Sequence, residues 1–264
     1  MRCGAAAGLC AGGAGSGQSR RHARDRGFRD HAHAVKPLRA DMTLPDRGLP
    51  SVVIGGGVAG AEIALALSHR QHAPVTLIEA GPRIAATLTP RGRALLCRAL
   101  DGAGVTVLTG TRVGRVGAEH VVLDDGRRID SALTLGIAGA RAADWLARDL
   151  PVGDAGFVQV GPSLQVPGHP DLFAAGDCAS MTHAPRPKAG VFAVRQAPVL
   201  AQNLAARHQG RGCRAFHPQR DYLKIVSLGG RYALAEWHGM ALQGAWLWRC
   251  KDRIDRGFIG RLTD

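Results

Sequence analysis

The apolar residues of the chain occur in short runs whose spacing changes from strand-like to helical and back. Val52–Ile54 is a β-branched run of the kind found in strands buried within a parallel sheet. In Ala61–Leu67, which is rich in alanine and leucine, the apolar residues recur at helical spacing. A second strand-like run follows at Val75–Ile78. A strand, a helix and a strand in this order predict a parallel α/β unit.

The pattern continues through the middle of the chain. Arg91–Leu100 predicts a helix, and Val105–Leu108 predicts a third strand. Three short strand-like runs come next: Thr111–Val116, His120–Leu123 and Arg128–Ser131. Because Asp125-Gly126 is a strong hairpin signal between the last two, these runs predict a small antiparallel meander. Leu133–Ile137 then returns to the parallel sheet.

A second module begins near Leu150 and has a pattern of its own. Gly156–Val160 and Leu172–Ala175 predict strands. Ala189–Ala206 predicts a long helix in which Pro198 introduces a kink.

The last part of the chain predicts a hairpin and a helix. Tyr222–Leu228 and Arg231–Glu236 are strand-like runs on either side of Gly229-Gly230, a hairpin turn signal. Gly244–Leu262 predicts a helix with an apolar stripe and many basic residues. The stripe consists of Trp246, Cys250, Ile254 and Phe258. Such a helix either lies in a lipid headgroup layer or packs on the protein's own core or on a twin subunit, and both interpretations stay open.

The first fifty residues lack any comparable pattern. Met1–Ala34 is rich in glycine and alanine and then in arginine and histidine, and Pro45–Pro50 is a polar connector. We therefore expect residues 1–50 to be a disordered or aberrant leader and linker.

Composition narrows the possible partners. The 264 residues carry a net charge of +13, which suits nucleic acid, anionic lipid or simply a solvated basic surface. Aromatic residues make up only 5% and do not alternate with the basic ones, so a nucleic-acid surface is not expected. No run of about eighteen apolar residues occurs, which excludes a transmembrane helix in this sequence. The six cysteines lack metal-binding spacing, so we expect no metal, unpaired thiols and a reducing, cytoplasmic compartment.

The most informative motif lies between the first strand and the first helix. Gly55, Gly57 and Gly60 form G-x-G-x-x-G, which allows a tight turn, a close approach to a pyrophosphate and close packing of helix on strand. The phosphates would lie at the helix N-terminus. Glu79 ends the second strand, where a carboxylate binds ribose hydroxyls and repels a 2′-phosphate. The motif therefore predicts a dinucleotide site that prefers NADH, although the nearby Arg83 leaves NADPH open.

Four stretches together resemble a known family: HAVKPL, VVIGGGVAGAEIALALSHR, HPDLFAAGDCAS with PRPKAGVFAVRQAPVLAQNL, and WLWRCKDRIDRGFIGRL. They are similar to the FAD- and NAD(P)-binding pyridine nucleotide-disulfide oxidoreductases. Within these they resemble the type II NADH dehydrogenase-like branch, including the flavoprotein also found fused to selenide, water dikinase. The resemblance implies a flavin-dependent NADH oxidoreductase that passes hydride from NADH to FAD and then electrons to a quinone-like or unknown acceptor.

The resemblance also implies roles for particular residues. Asp177, next to Gly176, would bind the ribityl chain of FAD, and the helix that begins near Gly190 would face the flavin. Gly139, after the returning strand, belongs to the same cofactor-binding set. The catalytic candidates are Glu62, Lys188 and Gln196. Glu62 could equally complement the helix dipole as a first-turn acid, and the other two could be solvated polar residues.

One expected part of this family is missing from the sequence. The FAD adenylate normally occupies its own N-terminal βαβ unit of roughly 30 residues or more, and Met1–Ala34 provides none. We therefore expect an N-terminally truncated chain that holds FAD weakly. The predicted segments are a Rossmann-like NAD(P)H domain at 51–140, a returning part of an FAD domain at 141–206, and a hairpin with an amphipathic helix at 207–264.

Alternative functions remain at this point. The chain could be a non-catalytic protein that binds NAD without flavin, or a basic membrane-associated module. A homodimer and a peripheral contact on the inner membrane face are also left open by the sequence.

Overall fold

The computed structural model describes residues 27–35, 48–71, 73–137, 142, 145–153 and 156–263. The chain divides into two compact units. The larger unit contains the described residues between 27 and 137 and those from 221 onwards, and the smaller unit contains the described residues between 142 and 220.

The helices and strands are numbered here in chain order. The first half contains α1 (Phe28–His31), β1 (His33–Ala34), β2 (Ser51–Ile54), α2 (Val58–Gln71), β3 (Val75–Ile78), α3 (Pro90–Gly102), β4 (Val105–Leu108), β5 (Val113–Val116), β6 (His120–Leu123), β7 (Arg128–Asp130) and β8 (Leu133–Gly136). The second half contains α4 (Leu146–Asp149), β9 (Val158–Val160), β10 (Gln165–Val166), β11 (His169–Phe173), β12 (Ala179–Met181), α5 (Gly190–His208), β13 (Lys224–Ser227), β14 (Ala233–Trp237), β15 (Met240–Gly244) and α6 (Ala245–Thr263).

The larger unit is built on a parallel sheet with the strand order β1-β8-β2-β3-β4. Every residue of β2 is buried, as expected for a β-branched strand covered on both faces. The predicted α/β, Rossmann-like fold is confirmed, including the return of β8 to the sheet. At residues 28–34 the expectation of disorder is wrong, because α1 and β1 form there and β1 pairs with β8.

The antiparallel meander is also confirmed, as the sheet β5-β6-β7. Gly126 has a φ of 87°, and the Arg127 amide donates to Asp125 Oδ1 at 3.0 Å. This turn therefore uses the local chemistry that Asp-Gly provides.

The C-terminal strands form an antiparallel sheet, β13-β14-β15, within the larger unit. The Gly229-Gly230 hairpin occurs as predicted, but β15 was not predicted. Its turn is His238-Gly239, where both residues have positive φ (47° and 77°). Because histidine stands in the first position instead of asparagine, the sequence lacks the Asn-Gly signal from which such a turn is predicted.

The C-terminal sheet packs on the same core as the Rossmann-like elements. Its residues Val226, Leu234 and Ala241 share one apolar cluster with Leu65 of α2 and Leu96 of α3. The other face of the sheet contacts α6 through a small cluster of Ala233, Ala235 and Leu247. This sheet is therefore an integral layer of the larger unit.

The smaller unit has a parallel pair, β9 with β12, and an antiparallel pair, β10 with β11. The predicted strand at Leu172–Ala175 is displaced, since β11 ends at Phe173. The chain then enters a 3₁₀ turn over Gly176–Cys178 in which Gly176 has a φ of 72°. α5 closely follows the predicted helix and contains Pro198. No helix among the described residues is long and apolar enough to cross a membrane.

Candidate nucleotide and flavin sites

The glycine loop joins the end of β2 to the start of α2. Gly55 has a φ of 112°, which favours glycine. A Cβ at Gly60 would lie 1.8 Å from the Gly55 carbonyl oxygen, so helix and strand touch here. A Cβ at Gly57 would meet no heavy atom of the described residues within 4 Å, and Gly57 is exposed. The loop thus has a closed side towards the sheet and an open side at the α2 N-terminus.

No role was predicted from the sequence for Gly56, because it occupies the first x position of G-x-G-x-x-G. Its amide donates to Glu79 Oε2 at 2.7 Å, and its carbonyl accepts from the Ala85 amide at 2.7 Å. A Cβ at Gly56 would lie 2.6 Å from Glu79 Cβ and 2.9 Å from Ile84 Cγ2. Gly56 therefore needs to be glycine for packing, which the run of three glycines could have suggested.

Glu79 is held at the end of β3 by two backbone groups. In addition to the Gly56 amide, the Gly81 amide donates to its Oε1 at 2.6 Å. A carboxylate offers about four lone-pair positions, so two remain for other donors. The side chain of Arg83 is exposed.

Glu62 connects α2 to the C-terminal sheet. It lies in the second turn, so its interpretation as a first-turn acid is wrong; the first turn contains no acid. Its Oε1 accepts the Ser227 amide at 2.7 Å. Burial raises the pKa of the Glu62 carboxyl, and the Ser227 hydrogen bond and Lys251 offset part of this rise.

The flavin-side candidates surround one pocket of the smaller unit. The pocket has a cavity volume of about 70 Å³, and Gly176, Asp177, Lys188 and Gln196 all line it. Gln196 is buried, and its Oε1 accepts the Gly176 amide at 2.6 Å. Gln196 is thus not the solvated polar residue that the sequence left open. It fixes the turn that carries Asp177, whose side chain is exposed.

Lys188 is half-buried in the same pocket. Its Nζ donates to the Ala179 carbonyl and lies 4.0 Å from the centroid of the Phe157 ring. Burial lowers the pKa of the Lys188 ammonium, and the charge of Asp177 partly restores it. Gly190 begins α5 in an exposed position where a Cβ would meet no described atom within 4 Å. Gly139 lies outside the described residues.

The apolar stripe of α6 is exposed. Trp246 is 59% exposed and Ile254 is 49% exposed, whereas Leu247 is only 4% exposed and packs on the sheet. The interpretation in which the stripe packs on the protein's own core is therefore wrong. Two basic residues of the helix pair with acids one turn away, Lys251 with Asp255 and Arg256 with Asp252.

The described cysteines and potential metal-binding residues add little to the candidate sites. Cys97, Cys213 and Cys250 are free. Among the described residues, no group of His, Cys, Asp or Glu could hold a metal ion.

Comparison with known proteins decides the family. The model of the family described as pyridine nucleotide-disulphide oxidoreductase matches residues 13–203, well over half of the chain. The chain belongs to the pyridine nucleotide-disulphide oxidoreductase family. The resemblance seen in the sequence is thereby confirmed, and the family is a family of enzymes.

Individual members of the pyridine nucleotide-disulphide oxidoreductase family match parts of the chain. An NADH dehydrogenase-like protein of Mycobacterium tuberculosis is 36% identical over 141 residues, covering 49% of this chain and 35% of the relative. The type II NADH:quinone oxidoreductase of the same organism is 32% identical over 189 residues, covering 61% of this chain and 40% of the relative.

A solved structure extends the comparison to three dimensions. It is an FAD-dependent pyridine nucleotide-disulphide oxidoreductase from Desulfovibrio vulgaris, with a TM-score of 0.61 and 28% identity. The match covers 72% of this chain and 49% of that one. The chain thus spans about half or less of the length of these relatives.

Proposed function

We propose that the chain binds NADH on the Gly55–Gly60 loop and contributes this site to a flavin-dependent NADH oxidoreductase. The observation that carries the proposal is the loop itself. Its open side at Gly57 faces the N-terminus of α2, and Glu79 stands at the end of the neighbouring strand. Free amides at a helix start bind phosphate, and a fixed carboxylate binds ribose hydroxyls.

The same site favours NADH over NADPH. Glu79 is oriented by the amides of Gly56 and Gly81 and retains acceptor capacity for two hydroxyl groups. The 2′-phosphate of NADPH would lie beside this carboxylate, and two negative charges in close proximity repel each other.

The residues that line the pocket of the smaller unit suit contact with the ribityl portion of FAD. Gly176 has the positive φ that brings the backbone close to a ligand, and Asp177 offers a carboxylate to ribityl hydroxyls. The α5 N-terminus and Lys188 both favour negative charge beside them. When bound, FAD supplies the redox chemistry, taking hydride from NADH and releasing electrons to a second acceptor. The quinone-like acceptor rests on the name of the type II relative.

Spectroscopy separates this proposal from an NAD-binding protein without flavin. FAD added to the purified chain should show a shifted visible flavin band and quenched flavin fluorescence. Asp177→Ala should weaken FAD binding by about 1–3 kcal/mol, since hydrogen bonds to a charged group are lost. If the flavin spectrum does not respond to the chain at any concentration, the flavin part of the proposal is wrong.

We further propose peripheral contact of α6 with an anionic membrane surface. The exposed stripe of Trp246, Ile254 and Phe258 supports it, because an amphipathic helix with tryptophan binds the lipid interface. The two internal ion pairs reduce the basic excess, so binding should be weak and salt-sensitive. Each basic residue near the surface adds only about 1 kcal/mol.

Vesicle sedimentation tests the membrane contact. Trp246→Gln should lower the fraction that pellets with anionic vesicles, whereas Trp145→Gln, at another exposed tryptophan, should not. Neutral vesicles should pellet less protein in every case. Equal sedimentation of the wild-type chain and a Trp246→Gln/Ile254→Gln variant would exclude α6 as the contact.

A further inference from the structure

We propose that Glu236 is a positioning residue for the NADH loop, so that the C-terminal sheet acts as a clamp on the nucleotide site. The inference rests on the proposed function, because it concerns the same loop. Glu236 lies on β14, far from Gly56 along the chain, and it is 2% exposed. A series of hydrogen bonds connects the two residues within the larger unit.

The first step joins Glu236 to the start of α3. Glu236 Oε2 accepts from the Thr89 amide at 2.8 Å and from Thr89 Oγ1 at 2.7 Å. Thr89 is itself the N-cap, since its Oγ1 accepts the Gly92 amide at 3.2 Å. A Cβ at Gly92 would lie 2.3 Å from Glu236 Oε2, so only glycine lets the carboxylate approach this closely.

Lys224 on β13 completes this end of the clamp. Its Nζ donates to Glu236 Oε1 at 2.9 Å and to the Thr87 carbonyl at 3.2 Å. A buried carboxylate is stable only when it is paired and hydrogen-bonded, and both conditions hold here. The segment Thr87–Thr89 is therefore held by two residues from two different strands of the C-terminal sheet.

The second step leads from this segment to the glycine loop. The Leu88 amide donates to the Ala85 carbonyl at 2.9 Å, and the Ala85 amide donates to the Gly56 carbonyl at 2.7 Å. Ala85 has a φ of 44°, a strained conformation for alanine that persists only where the surroundings fix it. Since Glu79 accepts the Gly56 amide, Gly56 is held through both its N–H and its C=O group.

Glu62 provides a second connection between the same sheet and the nucleotide site. It accepts the Ser227 amide from β13 and lies on α2, the helix that begins directly after the loop. The C-terminal sheet thus contacts α2, whose N-terminus forms the proposed phosphate site, and also the segment Ala85–Thr89, which binds the Gly56 carbonyl.

The test compares Glu236→Gln with Asp221→Asn in the full chain. Glutamine cannot accept from both Thr89 and Lys224, because its amide nitrogen only donates. Asp221 is a matched acid that accepts two amides, those of Tyr222 and His238, outside the clamp. Gly92→Ala is an independent variant that displaces the carboxylate without altering it. Two quantities are measured, the NADH Kd and hydrogen exchange of individual amides.

In Glu236→Gln and Gly92→Ala we expect exchange at the Ala85 and Gly56 amides to accelerate about tenfold more than at Val53 and Leu77 in the sheet, whose rates report any loss of global stability. NADH should bind about tenfold more weakly, equivalent to about 1.4 kcal/mol. Asp221→Asn should change neither quantity. A merely structural role would accelerate exchange in sheet and loop alike.

Besides equal acceleration of exchange in sheet and loop, two results would overturn the clamp. The first is unchanged exchange at Ala85 and Gly56 in both variants, and the second is faster exchange with an unchanged NADH Kd. If the wild-type chain binds no NADH, the proposed function fails instead. The exchange rates then still decide whether Glu236 holds the loop.

Discussion

At the scale of single residues, the three motif glycines have different physical tasks. Gly55 supplies a positive φ and Gly60 a close contact, whereas Gly57 borders open space. The motif spacing predicted this division, because the turn, the phosphate approach and the helix packing each need one glycine. The spacing of the motif assigns no role to Gly56; the run of three glycines hints at one, but its cause, packing against Ile84 and Glu79, appears only in the fold.

Gly60→Ala should destabilise the larger unit. Its Cβ would lie 1.8 Å from the Gly55 carbonyl oxygen, which forces β2 and α2 apart. We expect the free energy of unfolding to fall by about 2–3 kcal/mol, measured by urea denaturation. Gly102→Ala in α3, where a Cβ would meet no described atom within 4 Å, is the control and should be neutral or slightly stabilising. Equal effects of the two substitutions would show that the strand–helix contact is not tight.

Glu79→Gln should reduce the preference for NADH. The substitution removes the charge that repels a 2′-phosphate, a repulsion of about 1–3 kcal/mol after screening. We expect the ratio of the NADPH and NADH dissociation constants to fall towards one, measured by titration with both nucleotides. A wild-type chain that binds both equally would contradict the role of Glu79.

At the scale of elements, periodicity predicted most strands and helices but not all of them. Val75–Ile78 and Val105–Leu108 form strands with the predicted bounds, because both runs are rich in β-branched residues, which favour strands. β15 was missed because its turn contains a histidine in a left-handed conformation. The stripe of α6 shows a further limit of periodicity. Helical spacing identified which apolar residues share one face of the helix, but it could not predict whether another element packs on that face.

The link between β14 and α3 should depend on pH. Burial alone would raise the pKa of the Glu236 carboxyl, but hydrogen bonds from Lys224 and Thr89 outweigh it and lower the pKa below its ordinary value of 4.5. A lowered native pKa stabilises the fold above the unfolded-state pKa, and this stability is lost as the pH falls through the native pKa.

Glu236→Gln should therefore cost about 1–3 kcal/mol of unfolding free energy at neutral pH. The difference from wild type should shrink once the pH falls below about 4.5, where the unfolded carboxyl becomes protonated. Urea denaturation at neutral and acidic pH measures both values. A difference that stays constant across this range would mean that the charge of Glu236 contributes nothing.

At the scale of the whole molecule, the sequence predicted the α/β class and the family, since four separate stretches match in order. The packing of β13–β15 on the Rossmann-like core was not predictable. Their apolar residues Val226, Leu234 and Ala241 would equally suit the core of a separate hairpin. The net charge of +13 does not identify a partner by itself.

The central claim is that the Gly55–Gly60 loop binds NADH, and calorimetric titration of the full chain with NADH tests it most directly. We predict saturable binding to one site by the wild-type chain and by Gly212→Val, a substitution at an exposed glycine of the smaller unit. Gly57→Val should abolish binding while lowering the unfolding free energy by no more than about 1 kcal/mol. No binding by the wild-type chain, or equal binding by Gly57→Val, would contradict the claim.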